Sequence, residues 1–116
     1  IGLATATPEA RARKYLRMVG AEAAFDAVAC AEMVAHGKPA PDVYLLAARK
    51  LELPPRLLLG VEDSPSGVQS AHAAGMTVAM VPDQDQPSAE IAALCALVAP
   101  SLAGIAPFVK ESLRRP

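Results

Sequence analysis

The sequence predicts an α/β fold, a three-layer parallel sheet with helices on both faces, and three observations predict it. Short apolar runs alternate with segments of helical spacing along the whole chain, the order that a parallel sheet with right-handed crossovers requires. The runs Leu57–Val61 and Thr77–Val81 carry no charge, as strands buried on both faces do. Pro8, Pro41 and Pro65 stand where first helical turns would begin, and Gly20 and Gly75 where helices would stop, which is how these two residues punctuate helices.

The elements follow in order. Ile1–Thr5 reads as a strand end. Thr7 can then cap a helix, with Pro8 at its first position, Glu9 at the positive end of its dipole, and Ala12, Tyr15, Leu16 and Val19 on one face. Phe25–Cys30 is the next strand. The polar loop from His36 to Pro41 leads into a helix whose apolar face holds Val43, Leu46 and Ala47, and Pro54-Pro55 ends that region. Leu57–Val61 is a strand, Ser64 caps a helix that starts at Pro65 and turns Val68, Ala71 and Ala74 inward, and Thr77–Val81 is a strand again. Pro87 opens a helix through Ile91, Leu94 and Cys95; a short strand and a polar tail from Lys110 to Pro116 follow.

Totals bound the function. The 116 residues suit one domain, and 53 % hydrophobic against 20 % charged residues exclude a disordered tail. A net charge of −1, 3 % aromatic residues and no Trp give neither the basic footprint of a nucleic-acid binder nor stacking platforms for single strands. Ile91–Val109 is uncharged and long enough to test as a membrane span. Pro100, Gly104 and Pro107 interrupt it, so two short elements explain it better. Cys30 and Cys95 sit in apolar runs and read as reduced, buried thiols of a cytoplasmic protein. The opening Ile1-Gly2-Leu3-Ala4, without a Met or a signal-peptide pattern, reads as the later part of something longer. Oligomeric state is left open.

Ligands of open parallel sheets bind at the carboxyl ends of the strands, and three polar groups fall there. Thr5 ends the first strand, Lys38 lies in the loop before the second helix, and Glu62-Asp63 closes the Leu57–Val61 run. A hydroxyl, an ammonium and paired carboxylates suit an anion with a hard cation: Mg²⁺ takes one or two carboxylates together with phosphate oxygens, and Lys is a point charge for phosphate. Each residue also has a plain reading, as a strand-end cap, a solvated loop lysine and a strand-to-helix turn. The pair is the least plain, because adjacent carboxylates repel unless a cation neutralises them. His36, His72 and the basic face of Arg11, Arg13, Lys14 and Arg17 read as solvated surface.

The segments Gly2-Leu3-Ala4-Thr5-Ala6-Thr7, Gly37-Lys38-Pro39-Ala40-Pro41-Asp42 and Gly60-Val61-Glu62-Asp63-Ser64-Pro65-Ser66-Gly67 resemble successive motifs of the haloacid dehalogenase superfamily, above all its β-phosphoglucomutase-like phosphatase branch. The tail Leu97–Ala103 is similar to that branch's closing segment. The resemblance implies a Rossmann-like core. It implies that Thr5, Ala6 and Lys38 bind phosphate, with Thr5 and Lys38 taking part in catalysis. Glu62 and Asp63 would hold Mg²⁺, Asp63 the surer of the two, and Ser64 and Gly67 would shape their loop.

The departures are as plain. The family's first motif, Asp-x-Asp-Gly, is absent from the chain, and neither Asp26 nor Asp42 stands in that pattern; no nucleophile is therefore assigned. The helical cap between the family's first and second motifs is absent too. In the family the missing strand is central, between Ile1–Thr5 and Leu57–Val61, so its loss would leave unpaired edges in the middle of the sheet. The expectation is a partial core domain, 1–116, of a Mg²⁺-dependent phosphohydrolase that acts on a small phosphorylated metabolite through an aspartyl-phosphate, inactive by itself. The rivals are a sugar phosphomutase of the same family and a non-catalytic binding domain; haloacid dehalogenation would leave Glu62-Asp63 unexplained.

Overall fold

The computed structural model describes residues 1–83 and 85–107; the tail expected at Lys110–Pro116 lies outside them. In chain order it contains β1 (Gly2–Thr5), α1 (Glu9–Met18), β2 (Ala27–Cys30), α2 (Asp42–Leu51), β3 (Leu59–Glu62), α3 (Pro65–Ala73), β4 (Thr77–Met80), α4 (Ala89–Ala92) and β5 (Leu97–Val98), with short 3-10 turns between.

Every strand pairing is parallel, and the pairings form two sheets. β1 runs beside β2, from Gly2 opposite Ala27 to Thr5 opposite Cys30. β3 runs beside β4, from Leu59 opposite Thr77 to Glu62 opposite Met80, and β4 beside β5. Among the described residues β1 and β3 therefore each keep one unpaired edge. Between them lies a cavity of about 570 Å³, lined on one side by Leu3, Ala4 and Thr5 and on the other by Val61, Glu62 and Asp63. The interruption falls between the two strands where the resemblance led us to expect unpaired edges.

The helices hold the two sheets in one body. Ala29 of β2, Val43, Ala47 and Ala48 of α2, Val68 and Ala71 of α3, and Val78 and Met80 of β4 share one buried cluster. Ala79 faces the other way and packs with Ala99 and Ile105. Burying a side chain such as Val68 completely is worth about 2 kcal/mol. Gly60 permits the close approach of β3 and α3: a Cβ there would stand 2.9 Å from the Ala71 Cβ.

Several expected boundaries shift, for local reasons. Leu57 belongs to a 3-10 turn, Pro55–Leu57, in which the Leu58 N–H donates to the Pro55 carbonyl, so β3 begins at Leu59 and ends on Glu62. Burial on both strand faces fails at Val61, 39 % exposed, because the neighbouring edge is open. Thr7 does not cap α1. Its N–H donates to Thr5 Oγ1, Pro8 holds the cap position, and Glu32 accepts from the Glu9 N–H instead. Of the α1 face only Ala12 is buried; Tyr15 and Val19 are exposed. β2 begins at Ala27 because Glu22–Ala24 forms a 3-10 turn.

α4 is a single turn capped by Ser88, short of the helix expected through Cys95. Cys95 is half-buried, unlike the buried Cys30, and both are free thiols. Ser64 caps α3 as expected, accepting from the Gly67 N–H at 3.2 Å. Gly20 (φ +71) and Gly75 (φ +92) close α1 and α3 in the left-handed conformation that glycine adopts without strain. No helix among the described residues is long and apolar enough to cross a membrane.

Unpaired four-residue edges with an exposed apolar side chain template further pairing. The purified chain should form larger species as concentration rises, measured by light scattering, and Val61→Lys should shift it toward the monomer.

Candidate functional site

Two adjacent residues at the end of β3 part company because successive strand side chains point to opposite faces. Glu62 turns inward and is buried; Asp63 turns outward and is exposed. Glu62 has room only because position 67 is glycine. A Cβ on Gly67 would stand 1.9 Å from Glu62 Oε2, so the first turn of α3 closes directly over the carboxylate.

Lys38 comes to meet it. Its ammonium donates to Glu62 Oε1 at 2.6 Å and to the Ala4 carbonyl of β1 at 3.3 Å, and its side chain is 18 % exposed. One cation thus touches both sheets at the end of the open slot. The repulsion expected of Glu62-Asp63 is relieved within the protein by Lys38. The loop that carries Lys38 is pinned from below, since the buried Ser70 hydroxyl of α3 donates to the Ala40 carbonyl at 2.7 Å.

The structure adds Tyr44, which the sequence reading passed over. Its hydroxyl donates to Glu62 Oε1, the same oxygen that Lys38 holds, and its ring centroid lies 5.4 Å from the Lys38 ammonium. Burial first, and the bond to Glu62 second, push the Tyr44 phenol far above its usual value. The signal was present: Tyr44, Ala48 and Leu51 repeat at helical spacing, beside the face of Val43, Leu46 and Ala47. Ser70 had no such signal, because an interior serine on a helix announces no partner.

Around these groups lie the others. Thr5 is half-buried and its Oγ1 accepts from the Thr7 N–H at 3.1 Å, so the plain role of strand-end cap is real and the hydroxyl proton is left to donate elsewhere. Thr5, Lys38, Glu62 and Asp63 line both the slot and an adjoining cavity of about 340 Å³, which Ala6, Gly37, Ser64 and Ser66 also border. His36 is exposed and meets Asp42, and His72 is exposed on α3. On α1, Arg13 pairs with Glu9 and Arg17 with Glu22, a solvated face.

Mg²⁺ needs one or two carboxylates and fills its octahedron with phosphate oxygens and water. Asp63 fits that demand, exposed at the mouth of both cavities. Glu62 commits Oε1 to Lys38 and Tyr44, which leaves Oε2 under the turn of α3. Among the described residues no cluster of three His, Cys, Asp or Glu side chains could form a shell unaided. The residues fit the ion as part of a shell.

Residues 1–81 match the family described as haloacid dehalogenase-like hydrolase. A phosphorylated carbohydrates phosphatase of Thermotoga maritima is 40 % identical over 76 residues, 66 % of this chain and 35 % of that protein. CbbY of Rhodobacter sphaeroides, solved in complex with phosphate, is 31 % identical and superposes with a TM-score of 0.78 over 88 % of this chain and 46 % of its own. A β-phosphoglucomutase of Clostridium difficile is 26 % identical, with a TM-score of 0.76 over 99 % of this chain and 51 % of its own. The chain thus spans about a third of the first relative and about half of the other two.

Gly67→Ala should cost about 1–3 kcal/mol, because the new methyl displaces a buried carboxylate. Gly37→Ala, with nothing within 4 Å, should change stability by less than about 0.5 kcal/mol; urea unfolding of the two variants measures the contrast. Tyr44 yields a pH prediction. Its folded value is raised, so its contribution is intact below the usual tyrosine value of 10.0 and is lost as pH climbs above it. Stability measured at rising alkaline pH should fall, and Tyr44→Phe should remove that part of the fall.

Proposed function

Because the chain belongs to the haloacid dehalogenase-like hydrolase family, we propose that it is the carboxyl-terminal part, a partial core domain over 1–116, of a Mg²⁺-dependent phosphohydrolase acting on a small phosphorylated sugar. The observation that carries this reading is Lys38. It is a cation fixed by Glu62 and the Ala4 carbonyl at the mouth of a cavity that Thr5 and Asp63 also line.

The roles follow from what each group has free. Two of the three Lys38 ammonium protons are directed to Ala4 and Glu62, and the third is left for a phosphoryl oxygen. Thr5 accepts with its oxygen and donates its proton to a second phosphoryl oxygen, with the backbone at Ala6 alongside. Asp63 would hold Mg²⁺, with Oε2 of Glu62 as the further candidate; the ion supplies neutralisation of the phosphoryl charge. Phosphoryl transfer asks the protein mainly for positioning and electrostatic stabilisation, and these residues furnish both. These 116 residues hold no Asp-x-Asp-Gly pattern, so no nucleophile is assigned among them; an aspartyl-phosphate formed on such a carboxylate would divide the transfer into two steps. The substrate class rests on the likeness to the Thermotoga maritima phosphatase. The two free thiols favour the cytoplasm, and the near-zero net charge favours neither nucleic acid nor a membrane surface as partner.

The test is Mg²⁺-dependent phosphate release from a panel of sugar phosphates, by the 116-residue chain and by the longest reading frame that contains it. The longer protein should be active and the 116 residues silent; turnover by the 116 residues would overturn the reading. In the longer protein, Lys38→Ala and Asp63→Asn should each lower kcat by about 10²–10³, the usual loss for a positioned charge-stabilising group. Product analysis with glucose 1-phosphate separates hydrolysis from transfer to another hydroxyl of the same sugar.

A further inference from the structure

Tyr44 makes two contacts with one ion pair. Its hydroxyl donates to Glu62 Oε1 and its ring stands under the Lys38 ammonium, 5.4 Å from centroid to nitrogen. The residue is 6 % exposed and comes from α2, the helix that follows the Lys38 loop directly. Packing alone would be satisfied by phenylalanine, so the hydroxyl is the feature that needs a reason. A buried hydroxyl without a partner costs about 1–3 kcal/mol, and here the partner is the same oxygen that Lys38 uses.

That shared oxygen has a geometric consequence. A carboxylate with one bond to a lysine can swing about its own axis, and a long lysine side chain loses much rotamer freedom when it is held. Two donors on Oε1 from different elements, with Oε2 lying against Gly67, leave Glu62 one orientation. Lys38 is then held by a fixed acceptor on β3, by the Ala4 carbonyl on β1 and by the Tyr44 ring. We propose that Tyr44 is a positioning residue for Lys38, fixing through Glu62 the direction in which the ammonium faces the phosphoryl group. The claim about phosphate rests on the function proposed above; the claim about Lys38 stands on contacts alone.

Acylation of lysine amines tests the two separately. The 116-residue chain, at sub-micromolar concentration, is labelled briefly with an acid anhydride, and the extent at each lysine is read by mass spectrometry. Lys14 is an exposed standard, and Lys50 is a control on the same helix as Tyr44, held by the Val28 carbonyl at 2.8 Å. In Tyr44→Phe the ratio of Lys38 to Lys14 labelling should rise about two- to tenfold, the range that the net contribution of one hydrogen bond gives, while the ratio of Lys50 to Lys14 stays level. Glu62→Gln should raise Lys38 labelling at least as much. An unchanged Lys38 ratio in Tyr44→Phe, or a rise that Lys50 shares, would overturn the proposal and leave Tyr44 a core residue. Inorganic phosphate added to the wild type should protect Lys38, and less so in Tyr44→Phe. Absence of protection in the wild type would sink the phosphate site without touching the labelling ratio.

Discussion

One cation joins the two sheets of this molecule at the carboxyl ends of their inner strands: the Lys38 ammonium between Glu62 of β3 and the Ala4 carbonyl of β1. Among the described residues the sheets share no strand pairing, so their relation depends on the helices behind and on this cation in front. A buried ion pair is weak evidence for net stability, since desolvating both charges offsets most of their attraction; removing one partner alone is what costs, about 3–5 kcal/mol. The pair here is strengthened by the extra donor it recruits, the Tyr44 hydroxyl. Much of the local sequence then follows as constraint. Position 67 must be glycine to leave room for Glu62, Ser64 must cap the turn that passes over it, and Ser70 must hold the loop that presents Lys38.

The parts of this arrangement that were legible in the sequence are those with a local signature. Ser64-Pro65 opening α3, Gly75 closing it and the strand at Thr77 are each written in a few neighbouring residues, and each stands where those residues place it. What the sequence does not display is pairing across distance. Tyr44 and Ser70 lie in apolar helical rows, and only the fold tells that their hydroxyls reach Glu62 and Ala40. The same limit explains Glu62-Asp63. Adjacent carboxylates ask for a cation, and the one that meets Glu62 is a lysine 24 residues earlier in the chain. The misplaced start of β3 has a different cause: five apolar residues in a row do not say which two a preceding Pro-Pro will draw into a turn.

The edges of the two sheets are treated unequally, and the inequality bears on the site. At the outer strand β2, Lys50 donates to the Val28 carbonyl, and the far strand β5 is only two residues long; a lysine and a short strand are both devices that discourage further pairing. The inner edges of β1 and β3 are four residues each and, among the described residues, carry no such guard except Lys38 at their carboxyl end. An extended segment entering the slot in parallel would pair with both edges at once and bury Val61. It would also run, at its carboxyl end, into the space bounded by Thr5, Lys38 and Asp63. Closing the sheet and enclosing the space among Thr5, Lys38 and Asp63 are thus one event in this geometry. Backbone pairing fixes the register of the entering strand, and the register decides which of its side chains meets the cation that Glu62 and Tyr44 hold in place.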